Sequence, residues 1–310
     1  MGIILGLAAA LFWGVSDFTA RSVTQRIGTY RTLFFMQFIG MVGLGLYLFA
    51  SGTLAHLLHS ASWQSWAWAL LAALLNIFST LALYRSFEIG VLAIVSPIAA
   101  SSAALTVLLA LLSGETVSEF RAIGISGATI GVVLAATQFG ALQPAQAAEG
   151  SPREVSAEQA TQRATAQLPH RRLMRGVGMA ALAAIGYGIT FWLLGFHIVP
   201  ELGGIAPIWL IRLLTPCVLA LCAVPARQSI RPPAGSVWWQ ILVMGTLDTT
   251  AFICLTIGLT TDQVSVVSVL SSLFSAVTVF LAWLFLREKL AWNQWLGIII
   301  IFLGIILVKL

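Results

Sequence analysis

Apolar residues run along this chain in long blocks separated by short polar breaks. Ten blocks cover roughly residues 3–20, 32–50, 64–84, 91–112, 121–138, 177–197, 205–224, 238–259, 264–286 and 293–309. As a helix rising 1.5 Å per residue, each is long enough to cross ~30 Å of hydrocarbon. The blocks are continuous rather than alternating, which selects helices over the strands of a barrel. The pattern predicts an all-α integral membrane protein with ten transmembrane helices.

One break differs from the rest. Residues 140–175 are rich in Ala, Gln, Arg, Glu and Pro and carry no sustained apolar face, the signature of a polar linker. It separates a first five-helix unit, 1–139, from a second, 176–310. The two units repeat one another. Gly2, Gly6, Ala10 and Gly14 match Gly176, Ala180, Ala184 and Gly188 at a constant offset of 174. Glu115, Gly124 and Gly131 match Glu288, Gly297 and Gly304 at an offset of 173. Five is odd, so the second copy enters the membrane upside down. The expected fold is therefore two inverted five-helix repeats, an architecture whose binding sites lie near the midplane between the repeats.

Composition agrees: 59% of the residues are hydrophobic and 9% charged, where a soluble domain carries roughly a quarter charged. The net charge of +5 is spread between apolar blocks, so membrane orientation explains it and nucleic acid is not an expected partner. Thirteen Arg and Lys residues fall in loops of one face and two, Arg121 and Lys309, on the other. The richer face is expected to be cytoplasmic, with both termini outside, the linker inside, and the chain in the cell (plasma or inner) membrane. The first block has no basic residues before it and reads as a retained helix, not a cleaved signal. Cys217, Cys222 and Cys254 lie inside apolar blocks without metal-ligand spacing and are expected to pack.

Several short motifs recur in order. Leu11-Phe12-Trp13-Gly14 opens the first half, and Gly114-Glu115 leads onto Gly124 and Gly131, echoed by Glu288 leading onto Gly297 and Gly304. With these the chain resembles the EamA-type ten-helix members of the drug/metabolite transporter superfamily, over both halves but not the linker. The resemblance implies a ten-helix carrier whose relatives move amino acids, sugars, metabolites and drugs. Two departures stand out: many relatives are thought to have cytoplasmic termini, and small multidrug-resistance relatives use a first-helix glutamate where residues 1–20 here hold only Asp17.

Asp248 sits near the middle of the eighth block, where an acid costs ~2.5–3.5 kcal/mol on insertion scales. It is read either as a proton or substrate-amine site or as an acid that holds helices together. Arg212 lies ~10 Å and Asp248 ~16 Å from the same membrane face by helix rise. An arginine can span much of that difference, so the two are expected to pair. The alternative is that Arg212 snorkels to the interface. Gln37 takes the related place in the second block. Asp17, four residues before Arg21, reads as an ion pair or as a gate residue, and Arg85 with Glu88 reads the same way. Ser265, Ser268, Ser271, Ser272, Ser275 and Thr278 form a hydroxyl stripe on the ninth helix. The stripe is read as a wet cavity wall or as helix-backbone bonding, with Ser102 and Thr106 in the fourth helix as its counterpart. Pro97 is placed to kink that fourth helix. Trp13, Asn76, Tyr187 and Trp209 are further candidates for contact with a solute, and Trp63, Trp66, Trp68, Trp238, Trp239, Trp292 and Trp295 read as interfacial belts. The small-residue stripes, including Gly127 and Gly131, read as close helix packing.

These readings favour a secondary transporter for a small polar or amphipathic metabolite, working by alternating access, with proton coupling through Asp248 as its energy source. No phosphate-cradling loop is present, and His56, His59, His170 and His197 are scattered, so no cofactor or metal is expected and an enzyme is disfavoured. A channel or a membrane scaffold is the alternative. The expected partners are a small-molecule solute, the lipid bilayer and a second copy of the chain, with the fifth and tenth helices as packing or dimer elements.

Overall fold

The computed structural model describes residues 1–52, 61–90, 92–136, 157–286 and 292–309, and every regular element among them is helical. The first half holds α1 (Gly2–Ile27), α2 (Thr29–Ser51), α3 (Trp63–Ile89), α4 (Leu92–Ala100), α5 (Ser102–Leu112) and α6 (Glu119–Ala136). The second holds α7 (Ala157–Leu193), a π turn (Leu194–Ile198), α8 (Val199–Leu202), α9 (Ala206–Ala223), α10 (Val237–Thr261), α11 (Val264–Ser272), α12 (Phe274–Leu286) and α13 (Trp292–Lys309). Taking α4 with α5 and α11 with α12, eight spans among the described residues are long and apolar enough to cross a membrane. The 18-residue helices α6 and α13 complete two sets of five. Helix α7 begins at Ala157, inside the polar stretch read as a linker. Glu288 and residues 140–156 lie outside the described residues.

The packing repeats itself with the halves exchanged. Helix α1 lies on α10, and α7 lies on α3. Helix α1 also lies on α11 and α12, and α7 on α4 and α5. Helices α2 and α9 pack on each other, as do α6 and α13. This is the contact pattern of two like units related by a two-fold axis. It shows at the level of single atoms. Thr278 donates its hydroxyl to the Gly14 carbonyl at 3.2 Å, and Thr106 donates to the Gly188 carbonyl at 3.0 Å. Each contact needs a glycine. A Cβ on Gly14 would lie 2.5 Å from Val277 Cβ and 3.0 Å from the Phe274 carbonyl oxygen. One on Gly188 would lie 2.8 Å from Leu105 Cβ and 2.9 Å from the Ser102 carbonyl oxygen. The α6–α13 seam is as close: a Cβ on Gly304 would meet Ala128 N at 2.7 Å. The stripes of small residues thus let backbones approach, which is how helices gain contact in lipid.

The fourth and ninth spans each break once, at Ser101 and at Leu273. Pro97 lies four residues before the first break, but the second has no proline. Both breaks share serine chemistry. Ser101 donates its hydroxyl to the Ile98 carbonyl at 2.6 Å, and Ser271 and Ser272 donate to Ser268 and Val269 at 2.9 and 2.7 Å. A hydroxyl that captures a carbonyl one turn back competes with the helix ladder and bends it.

Candidate functional site

Building inward from the helices, the buried polar groups converge between the halves. Arg212 on α9 is fully buried, and its Nη2 lies 2.7 Å from Asp248 Oδ2 on α10. The expected pair therefore forms, and the snorkelling alternative for Arg212 does not. Arg212 Nη1 donates to Gln37 Oε1 on α2, and the guanidinium carbon stands 5.0 Å from the Phe252 ring centre. Gln37 and Arg212 are 175 residues apart, close to the repeat offset, so positions related by the two-fold axis meet across it. Trp13 on α1 donates its indole N–H to Asp248 Oδ1 at 3.0 Å. Asp248 is thus held on both oxygens.

Trp13 also sets an aromatic cluster. Its ring stacks on Phe191 at 5.7 Å and meets Phe252 and Phe274 edge-on at 4.9 and 6.2 Å. Phe191 stacks in turn on Tyr187 at 5.8 Å. Tyr187 is the repeat counterpart of Trp13 at the offset of 174. Its hydroxyl shares a 2.8 Å hydrogen bond with Thr80 on α3, whose hydroxyl donates to the Asn76 carbonyl at 2.8 Å. Each repeat therefore sends one polar-tipped aromatic from its first helix to a polar partner on the other repeat.

Between these walls lies a cavity of about 30 Å³, room for one or two waters. Trp13, Asp17, Thr80, Tyr84, Ser102, Tyr187 and Asp248 contribute to its lining, with Leu83, Phe191, Phe252 and Phe274 as apolar wall. Asp17, read from the sequence as a neighbour of Arg21 near a helix end, is 5% exposed on this wall. Helix α1 runs on to Ile27, ten residues beyond it, so Asp17 is deeper than a helix ending at residue 20 implies. Arg85 and Glu88 do pair, at 2.7 Å, near the end of α3.

Other candidates fall elsewhere. Ser268, Ser272 and Ser275 are buried but stand off the cavity, where Phe274 represents their span; the hydroxyl stripe serves the break in that span and its packing. Asn76 is buried one turn behind Thr80, and Gln37 stands behind Arg212. Trp209 lies against Gly45, away from the cavity. Tyr84, Thr80, Phe191 and Phe252 are lining residues that the sequence did not single out. Tyr84 is 1% exposed and donates to Met36 Sδ at 3.0 Å. A tyrosine inside an apolar block was the available signal.

At one end of the bundle, three polar ties cross between the repeats. Glu115 accepts from the Ser265 backbone N–H at 3.2 Å and from its hydroxyl. Arg121 donates to Gln263 Oε1 at 2.9 Å and lies 3.4 Å from Asp262. Glu201 accepts from Ser62 and Ser65 at 2.6 and 2.7 Å. These ties join the two repeats at that end.

The repeat seen in the coordinates is matched in sequence. The EamA-like transporter family matches residues 1–137 and again residues 174–310. The chain belongs to that family. As an EamA-like protein it is a multi-pass membrane protein of a transporter family, with one family match per five-helix repeat. A solved crystal structure, titled only as that of a protein, is similar over 99% of this chain and 95% of its own, with a TM-score of 0.69. The identity is 18%, so this likeness speaks to the EamA-like fold alone. No curated protein matches the chain significantly.

Proposed function

We propose that this EamA-like protein is a secondary carrier that moves a small amphipathic metabolite by alternating access, with the solute bound in the cavity between the repeats. The observation that carries this reading is the cavity itself. Its walls come from both halves, around a two-fold axis, at the place where inverted-repeat carriers bind. A volume of about 30 Å³ holds no metabolite, so binding requires the walls to separate. The glycine seams of α1 and α7 provide smooth faces along which helices can rock, and the Glu115 ties provide a set of contacts that one state makes and the other breaks.

Arg212 and Trp13 engage the two oxygens of Asp248, which supports a role in fixing the cavity wall. The excess of Arg and Lys in the loops of the Arg85 end supports a cytoplasmic Arg85 end and an outer Glu115 end, in the cell membrane. The test is flux in proteoliposomes, using solutes that raise the melting temperature in a panel of amino acids, sugars, nucleosides and amines. A carrier gives saturable uptake that accelerates when unlabelled solute is inside. Flux rising linearly with concentration, without counterflow, would replace the carrier with a channel. A panel in which no solute stabilises the protein or crosses would count against both.

A further inference from the structure

A groove of about 610 Å³ opens on the side of the bundle at the Arg85 end. Phe78, Leu81 and Arg85 of α3 line it at the spacing that puts residues on one helix face, together with Met179 and Leu182 of α7. The start of α2 and the turn after α9 complete the lining. Phe78 is 54% exposed and Leu182 44%, and in a membrane-spanning helix such faces look onto hydrocarbon. A second space of about 690 Å³ shares Arg85, Glu88 and Met179 with the groove and adds Arg175. Close approach of α3 and α7 sets Arg175 there: a Cβ on the next residue, Gly176, would lie 3.1 Å from Gly90 Cα. Glu88 is the one carboxylate among the described residues that line the two spaces. It is already engaged, accepting from the Thr29 N–H and hydroxyl at 3.3 and 2.6 Å and pairing with Arg85 at 2.7 Å. Arg175 is exposed and makes no hydrogen bond or ion pair among the described residues. Arg227, also exposed, sits between the lining residues Ala226 and Gln228. Positive charge is thus in excess at the polar end of an otherwise apolar groove.

We propose that this groove seats one anionic phospholipid of the leaflet at the Arg85 end, with its phosphate at Arg85 and Arg175 and an acyl chain along the Phe78 stripe. The site is separate from the cavity between the repeats and does not depend on the carrier reading. The depth fits. Arg85 lies one turn before the end of α3, at the level of the headgroups. The stripe continues inward to Leu74, which is 47% exposed. From Leu74 to Arg85 the helix rises ~16 Å, about one leaflet of a ~30 Å hydrocarbon layer. The chemistry fits too. A guanidinium fork matches two phosphate oxygens, and the arginine stem lies along apolar surface while its head stays at the interface. A basic membrane face attracts anionic lipid in particular. A water-soluble phosphate would satisfy the arginines but leave Phe78 and Leu182 uncovered. The duplication offers a comparison within the chain. At the offset of 174 the counterparts of Arg85 and Arg175 are Leu259 and Met1, so the corresponding place in the other repeat holds neither side-chain cation. The repeat fold therefore does not require the two arginines, and the groove at this end is the one they equip.

The test is native mass spectrometry of the purified full-length protein in detergent with three probes. Dioleoyl phosphatidylglycerol carries chains and a net charge, dioleoyl phosphatidylcholine carries chains without net charge, and glycerol 3-phosphate carries charge without chains. One phosphatidylglycerol is expected to bind, roughly tenfold more tightly than phosphatidylcholine, and glycerol 3-phosphate is expected not to be retained. Arg85→Gln and Arg175→Gln should each weaken phosphatidylglycerol about fivefold, and the double variant should erase the preference. Arg175→Lys should keep most of it. Glu88→Gln, which retains an acceptor for Thr29, should tighten phosphatidylglycerol. Arg26→Gln removes an exposed cation of the same end that does not line the groove, and should change nothing. The inference is overturned if phosphatidylcholine or glycerol 3-phosphate binds as well as phosphatidylglycerol. It is also overturned if the double variant, eluting as the wild type does on gel filtration, keeps the preference, or if Arg26→Gln weakens binding as much as Arg175→Gln. Should the double variant misfold, Glu88→Gln decides: tighter phosphatidylglycerol supports the site, and unchanged or weaker binding removes it.

Discussion

Replacing Arg212 by methionine removes a positive charge from the centre of the protein and leaves its partner behind. The guanidinium is fully buried, stands 2.7 Å from Asp248, bonds Gln37 and lies over Phe252. Breaking a buried pair from one side costs roughly 3–5 kcal/mol, because an uncompensated charge remains in a dry site. At roughly 2–4 °C per kcal/mol, that lowers the melting temperature by roughly 6–20 °C. Asp248→Asn alone should cost a similar amount, since it strands the arginine instead. The double variant carries no charge, and asparagine at 248 still accepts from Trp13. What it leaves unmet is the Gln37 carbonyl, worth about 1–3 kcal/mol. The double variant is therefore expected to be more stable than either single one, measured by thermal unfolding in detergent with the wild type alongside. Losses that simply add, with the double variant the least stable of the three, would refute the claim that these two groups neutralise one another.

Two further outcomes follow from the packing. Gly14→Val and Gly188→Val should each destabilise by about 1–3 kcal/mol through overpacking, because the obstacle in each case includes a backbone carbonyl that cannot move aside. Gly178→Ala should be neutral in the same melts, since a Cβ there meets nothing within 4 Å; equal losses at all three would point away from the helix seams. Removing Arg121 with alanine should loosen the ties to Gln263 and Asp262, and so speed the reaction of a cysteine placed at Ser102 with an impermeant maleimide from the Glu115 side. An unchanged rate would mean that these ties do not close the cavity.

Much of the fold was legible because lipid imposes long apolar runs and a duplication leaves a constant offset. The offset of 174 that aligns Gly14 with Gly188 also aligns Trp13 with Tyr187, and the structure places both on the cavity. The Asp248–Arg212 pair was legible from helix rise alone, since depth along two neighbouring helices is nearly one-dimensional. What escaped reading depended on where helices end or on which way a hydroxyl turns. Apolar content fades after residues 20 and 84, yet α1 continues to Ile27 and α3 to Ile89. That places Asp17 and Tyr84 deeper than the hydropathy edge implies. The serine stripe of the ninth span has the periodicity of a wet wall, but Ser271 and Ser272 spend their hydroxyls on their own backbone. Periodicity gives the face and not the bond. Phe191 and Phe252 carry no polar mark to set them apart from other aromatics in the same runs, and only the meeting of α7 with α10 and α1 reveals them.

The central claim is that the cavity between the repeats opens to each side in turn. It is tested most directly with Ser102→Cys, a buried lining position, in a chain whose Cys217, Cys222 and Cys254 are replaced by serine. Impermeant maleimide is applied to proteoliposomes from one side or the other. Labelling is expected from both sides, each slowed by a bound solute, and faster from the Glu115 side once Arg121→Ala is added. Labelling from neither side, or from one side only whatever the solute, would contradict it.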